Sequence, residues 1–142
     1  MTFISPENGI LLTRLSVAVI LGMLIGIQRE RRKLVDRSYG SAGLRTHALV
    51  CLGTALIVST FAVLVPLSVG VNLPSIMIGI GFIGAGTIIS NQGKIKGLAN
   101  AASIWVTAAI GISVGLGLFM VSVAATILSI LVLELRRFEA ID

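Results

Sequence analysis

The stretch Ile10-Leu-Leu-Thr-Arg-Leu-Ser-Val-Ala-Val-Ile-Leu-Gly-Met-Leu-Ile-Gly-Ile27, followed at once by Gln28-Arg29-Glu30, decides the fold class. It is close to the ~20 apolar residues that a helix needs to cross a bilayer, and it ends in charged residues. Hydrophobic residues make up 56% of the 142-residue chain and charged residues only 12%, with a mean hydropathy of +1.04. A soluble domain needs a polar surface that this composition does not supply. We therefore predict an all-α polytopic membrane protein.

Five apolar segments of similar length follow one another along the chain. We interpret them as five transmembrane helices in a single domain, residues 1–142. Their expected bounds are about 10–27, 46–65, 73–90, 98–113 and 116–135. Each is too long for a strand and close to the length that spans a bilayer.

The basic residues set the predicted orientation. With the N-terminus outside and the C-terminus cytoplasmic, ten of the eleven Lys and Arg residues face the cytoplasm, as the positive-inside rule requires. They lie in loops 29–45 and 91–97 and at Arg136–Arg137. Arg14 is the exception, and it is expected to snorkel outward from the first helix. Because these clusters flank apolar segments and aromatic residues are few, we predict no nucleic-acid partner; recognition of anionic lipid stays open.

Glycines at helical spacing predict close packing between helices, because small residues let helices approach in lipid. The candidate packing residues are Gly22, Gly26, Gly79, Gly81, Gly84, Gly86, Gly111 and Gly115. Packing within one chain and a homodimer face are both open interpretations.

A weak internal repeat relates the second and fourth segments. Gly43-Leu44, Ala48 and Ala55 align with Gly97-Leu98, Ala102 and Ala109. Chance similarity among small apolar residues is the alternative. If the repeat is real, the starts of these two helices are equivalent, as in transporters built from parallel repeats.

Polar residues near membrane depth are the candidate functional residues. They are Gln28, Arg29, Glu30, Arg45, Thr46, His47, Asn100, Ser103 and Thr107. The last three share one face of the fourth helix. Two interpretations are open: these side chains line a polar cavity at the cytoplasmic mouth, or they make structural hydrogen bonds. An ion pair between Glu30 and Arg45 is one expected link between the first two helices.

No catalytic constellation is apparent, so we predict that the chain is not an enzyme. Its carboxylates all fall at segment ends or in loops. We therefore predict no cofactor and no acidic cage for a dehydrated Mg²⁺. A hydrated ion held by carbonyls and amides stays open, because Mg²⁺ usually keeps several waters.

Four motifs, in order and covering nearly the whole chain, resemble the MgtC/SapB family of bacterial inner-membrane proteins. They are Gly22–Glu30, Ala42–Val50, Gly79–Gly86 and Gly97–Trp105. The resemblance implies five transmembrane helices and a place in magnesium homeostasis, low-magnesium growth and virulence. The best-known branch looks like a regulator that restrains ATP synthase. The resemblance thus implies a non-enzymatic regulator acting through membrane partners; a transporter or channel for Mg²⁺, protons or a small solute is the alternative.

The chain departs from the family pattern in two places. Many relatives carry an Asp-Pro-x-Arg segment and a glutamine before the glycine-rich third helix, where this chain has Ser68-Val-Gly-Val-Asn-Leu-Pro-Ser75. Relatives of the better-known branch also have a soluble C-terminal domain of the ACT type. The chain therefore resembles the short form or a truncated one.

Overall fold

The computed structural model describes residues 6–36, 42–64, 72–91 and 94–135. The elements in these residues are α1 (Pro6–Asp36), α2 (Leu44–Leu64), α3 (Leu73–Ala85), β1 (Ile89–Asn91), β2 (Lys94–Lys96), α4 (Leu98–Gly115) and α5 (Phe119–Glu134). Three helices are long and apolar enough to cross a membrane: α1, α2 and α4. The apolar helices α3 and α5 are shorter, with 13 and 16 residues.

Contacts between helices show that neighbouring helices alternate in direction. Gly26, late in α1, lies against Leu44, the first residue of α2. Gly84, at the end of α3, meets Ala101 near the start of α4. The late α1 residue Gln28 also contacts the last residue of α5. The ends of α1, α3 and α5 therefore lie on the same side as the starts of α2 and α4.

The helices α2 and α4 run parallel and in contact along their length. His47 meets Ser103 near the two starts, and Val58 meets Gly115 near the two ends. Both helices begin at the leucine that the internal repeat makes equivalent. The preceding helices also approach them alike, since Gly22 faces the carbonyl of the fourth residue of α2 and Gly84 faces that of α4. This geometry agrees with a parallel repeat of two helices.

The helix α4 is the centre of the packing, with α1, α2, α3 and α5 around it. Two apolar clusters flank it. One, between α1, α2 and α4, contains Ala18, Leu21, Ile25, Cys51, Ala55, Ile110 and Val114. The other, between the start of α2, α3 and α4, contains Ala42, Val50, Ile80, Ile104 and Ala108.

Seven of the eight predicted packing glycines fall into two groups, and the eighth, Gly84, makes an ordinary contact, since its Cβ would lie 3.4 Å from the Ala101 carbonyl oxygen. A Cβ at Gly22 would lie 2.7 Å from the His47 carbonyl oxygen, and one at Gly115 would lie 2.8 Å from Val58 Cβ. The glycines Gly26 and Gly111 are equally tight against α2. In contrast, Gly79 and Gly81 of α3 have nothing within 4 Å, and Gly86 meets only carbonyls of its own preceding turn. Within the described chain, these three do not serve packing between helices.

The expected end of the third helix at Ser90 is wrong. The helix stops at Ala85, and residues 89–91 form β1, which pairs antiparallel with β2. Both the backbone N–H and the hydroxyl of Thr87 donate to the Gly84 carbonyl, at 3.0 and 2.7 Å, which closes a turn. Gly97 then adopts a φ of 94°, a conformation that favours glycine. Of the expected loop 91–97, residue 91 and residues 94–96 are therefore strand residues of an antiparallel pair.

The first helix is longer than expected, because it continues through the basic cluster to Asp36. Its 31 residues correspond to about 46 Å of helix, against a hydrocarbon core of about 30 Å. Arg, Glu, Lys and Leu are good helix formers, so the charged stretch extends the helix. The basic residues that were expected in a loop are partly on this extension. The other helix bounds lie within four residues of expectation, and the starts of α3 and α4 coincide with it.

Candidate functional site

The central residue of the candidate site is His47, in the first turn of α2. Its side chain is fully buried, at 0% exposure. Nδ1 lies 2.8 Å from the Gly43 carbonyl oxygen, and Nε2 lies 3.0 Å from Ser103 Oγ on α4. The imidazole therefore links the starts of the two parallel helices.

The proton count in this link depends on the charge of the ring. Ser103 Oγ also lies 2.8 Å from the Asn100 carbonyl oxygen, so three contacts follow one another from Gly43 to Asn100. A neutral imidazole and a hydroxyl supply two protons, whereas an imidazolium and a hydroxyl supply three. With a neutral ring, the hydroxyl of Ser103 donates either to His47 or to Asn100, but not to both at once.

The polar stripe of α4 faces its helical neighbours as predicted from its spacing. Asn100, Ser103 and Thr107 are all buried. Thr107 Oγ1 donates to the Ser103 carbonyl at 2.8 Å, so this hydroxyl is satisfied within its own helix. The side-chain oxygen Oδ1 of Asn100 has no hydrogen-bond partner among the described residues.

A carboxylate from α1 caps the start of α2. Glu30 Oε2 accepts the backbone N–H of Leu44 at 3.2 Å. Negative charge at a helix N-terminus is favourable, because the first N–H groups have no partner within the helix. The expected contact of Glu30 was an ion pair with Arg45. The contact seen here is with the backbone of Leu44, one residue earlier, and the Arg45 side chain is exposed. Thr46 is half-buried beside it.

A second link joins α1 to α5 on the same side. Gln28 Nε2 donates to Glu134 Oε1 at 3.1 Å, and Gln28 is 8% exposed. The neighbouring Arg29 is 9% exposed. Sequence reasoning did not select Glu134; the signal was a lone acid at the end of an apolar run, on the same predicted side as Gln28.

An arginine at the opposite end was also missed as a site residue. Arg14 Nη1 donates to the Gly115 carbonyl at 2.7 Å, and Ser59 Oγ donates to the same oxygen at 3.3 Å. The Arg14 guanidinium also lies beside Gly117. The expected outward snorkelling is thus replaced by a cap on the C-terminus of α4, where a cation is favourable.

The structure brings His47, Asn100 and Ser103 together and leaves Arg45 outside that group. Among the residues that the structure describes, no three His, Cys, Asp or Glu side chains group as a metal site. The arrangement can hold the helices in register and let the Ser103 hydroxyl donate to either His47 or Asn100.

Comparisons with known proteins agree with the motif resemblance. The family model described as the MgtC family matches residues 15–140. Protein MgtC of Salmonella typhimurium is 41% identical over 114 residues, covering 80% of this chain and 47% of the relative. "Putative magnesium transporter YhiD" of Escherichia coli is 41% identical over 131 residues, covering 85% and 58%. Protein SrpB of Synechococcus elongatus is 35% identical over 146 residues, covering 90% and 76%.

The chain spans about half the length of the MgtC and YhiD relatives that it matches. No solved structure matches it. Since the family model extends from the middle of α1 to beyond the end of α5, the family resemblance is confirmed, and the chain belongs to the MgtC family.

Proposed function

We propose that the chain is a five-span protein of the bacterial inner membrane, with its N-terminus outside and its C-terminus in the cytoplasm. The alternating helix directions support this topology. The described basic residues Arg29, Arg31 and Lys96 lie toward the side where α1 and α3 end and α2 and α4 begin, as expected of a cytoplasmic face. The helices α3 and α5 measure about 20 and 24 Å, so local thinning of the bilayer or flanking apolar residues complete their spans.

Its proposed role is in magnesium homeostasis, as a non-enzymatic regulator that acts on other membrane proteins. Family membership supports the link to magnesium, since one relative is named for magnesium transport. The helix contacts support a regulator, because the polar groups between α2 and α4 mostly bond to one another and to backbone carbonyls. A membrane complex such as ATP synthase is the partner that the family resemblance suggests, and a second copy of the chain is the other candidate.

The observation that carries this proposal is the outer face of α3. A Cβ at Gly79 or Gly81 would meet no described residue within 4 Å outside its own helix backbone, and beside them Ile78 and Phe82 are 75% and 84% exposed. Ile78 and Phe82, at i and i+4, form an exposed apolar ridge with a glycine on either side of it, and small residues beside such a ridge let another transmembrane helix approach closely. We take this face, defined by these four residues, as the partner face.

A glycine-to-leucine change on this face tests the proposal. Gly81→Leu adds a large side chain beside this ridge, where a Cβ would meet no described neighbour within 4 Å, and Gly53→Leu on α2 is the matched control, since the same holds at Gly53. In cells that depend on this protein in low magnesium, we expect Gly81→Leu to abolish growth at normal abundance and Gly53→Leu to support it. Growth of both variants at the unmodified rate would contradict a partner at this face.

A transporter is the second candidate, and one observation favours it. The Asn100 side chain is 8% exposed, and its Oδ1 has no hydrogen-bond partner among the described residues. Amide oxygens suit hard cations that keep part of their hydration shell. If the chain conducts Mg²⁺, flux through the purified protein falls in Asn100→Ala.

A further inference from the structure

A cleft opens between α1, α4 and α5 on the side where the basic residues lie. Its volume is about 490 Å³, within the ~300–1,000 Å³ of small-molecule sites. The helices α4 and α5 are joined by a tight turn at residues 116–118, and the cleft lies toward the other end of both. Along α5 the lining runs from Leu128 to Leu135, which is about 10 Å of helix.

Among the described residues, the lining is mostly apolar, with two hydroxyls and one cation. Arg29 is the charged side chain among the described lining residues, and it is nine-tenths buried, at 9% exposure. The hydroxyls of Ser103 and Ser129 also line the cleft, but they donate to carbonyls of their own helices. The guanidinium, a planar fork of donors, matches the geometry of a phosphate.

The open side of the cleft favours a lipid over a soluble anion. Leu128, Val132 and Leu135 lie at i, i+4 and i+7 of α5 and are 62%, 64% and 57% exposed. A row of exposed apolar side chains on a membrane helix faces hydrocarbon. Arg29 lies near the ends of two helices, since the lining residue Ala99 is the second residue of α4 and Leu135 follows α5. The charge is therefore at headgroup depth and the apolar lining is at acyl-chain depth.

We propose that this cleft is a binding site for an anionic phospholipid, with the phosphate on Arg29 and an acyl chain along α4 and α5. The link between Gln28 and Glu134, at 3.1 Å, holds α5 to α1 at the same end and fixes the width of the mouth. Glu134, which lies between two lining residues in sequence and bonds to Gln28, places a negative charge at this end, so it opposes an anionic headgroup. The site goes beyond the proposed regulation and depends only on placement in a membrane.

Lipid titration of the purified full chain in a zwitterionic detergent tests the site. Bound lipid is counted by native mass spectrometry for phosphatidylglycerol, with phosphatidylcholine and inorganic phosphate as the other arms. We expect phosphatidylglycerol to bind, and Arg29→Gln to weaken its binding by at least about tenfold. Arg31→Gln is the matched control, since Arg31 is exposed two residues further on, and a change within about twofold is expected. Glu134→Gln should tighten binding.

A second variant keeps the test valid if Arg29→Gln does not fold. Ala102 is an exposed lining residue of α4, so Ala102→Leu fills the acyl part of the cleft and leaves the arginine intact. We expect it also to weaken phosphatidylglycerol binding. Equal losses of phosphatidylglycerol binding in Arg29→Gln and Arg31→Gln would mean that the lipid responds only to surface charge. Competition by inorganic phosphate at the concentration of the lipid would assign the site to a soluble anion, and either result would overturn the proposal.

Discussion

Replacing Gly22 by alanine perturbs the closest approach of α1 to α2. The new Cβ would lie 2.7 Å from the His47 carbonyl oxygen and 2.8 Å from Cys51 Cβ, whereas ordinary contacts begin at 3.4 Å. The helices must then separate by about 0.7 Å, the difference between 3.4 and 2.7 Å. Overpacking typically costs about 1–3 kcal/mol, and alanine recovers up to about 1 kcal/mol of helix propensity. We expect a net loss of about 1–2 kcal/mol in the free energy of unfolding.

The assay uses the chain's only cysteine as its reporter. Cys51 is fully buried, so its alkylation during titration with sodium dodecyl sulfate follows unfolding in mixed micelles, with far-UV circular dichroism in parallel. Gly53→Ala is the control, since its Cβ would meet no described residue within 4 Å outside its own helix backbone, and it should be at least as stable as the unmodified protein. If Gly22→Ala unfolds at the same midpoint as Gly53→Ala, the close approach of α1 and α2 is refuted.

Three further changes test other contacts. Ser103→Ala removes one hydrogen-bond partner of the buried His47 and should lower the free energy of unfolding by about 1–3 kcal/mol in the same assay; an unchanged midpoint would mean that this link contributes nothing. Arg14→Gln removes the charged cap on the Gly115 carbonyl and should lower the free energy of unfolding by about 1–2 kcal/mol. A thermal midpoint that is the same in the variant and in the unmodified protein, and that does not change from low to high salt, would contradict this cap. Gly97→Ala forces a non-glycine residue to a φ of 94°, which should raise the energy of the folded backbone by about 1–3 kcal/mol. The strain should speed trypsin cleavage at β1 and β2, and unchanged cleavage would argue against strain at this position.

The helical class and the number of helices were predictable because long apolar segments have few alternatives in lipid. The short strands β1 and β2 were not predictable. Their pairing depends on a turn closed by Thr87 and on the left-handed conformation of Gly97, and three-residue strands carry no periodic signal. The extension of α1 was hidden for a different reason, since a charged stretch after an apolar run is equally typical of a loop.

The candidate site was predictable to the extent that it follows helical spacing. The face shared by Asn100 and Ser103 and its link to His47 come from residues that the sequence singled out. The caps made by Glu30 and Arg14 depend on which helix ends lie side by side, so local sequence does not encode them. Gly79 contacts no neighbouring described helix because α3 lies at the edge of the bundle. The spacing of small residues does not determine which helix lies at the edge.

Cation flux into proteoliposomes containing only this protein is the most direct test of the proposed regulator. Protein of known orientation is compared with an Arg45→Ala/Asn100→Ala variant for Mg²⁺, other divalent ions and protons, and an ionophore shows that the vesicles are sealed. The account predicts the same background flux for both proteins. Mg²⁺ or proton flux that the variant loses would contradict the regulator and establish a transport path past Asn100.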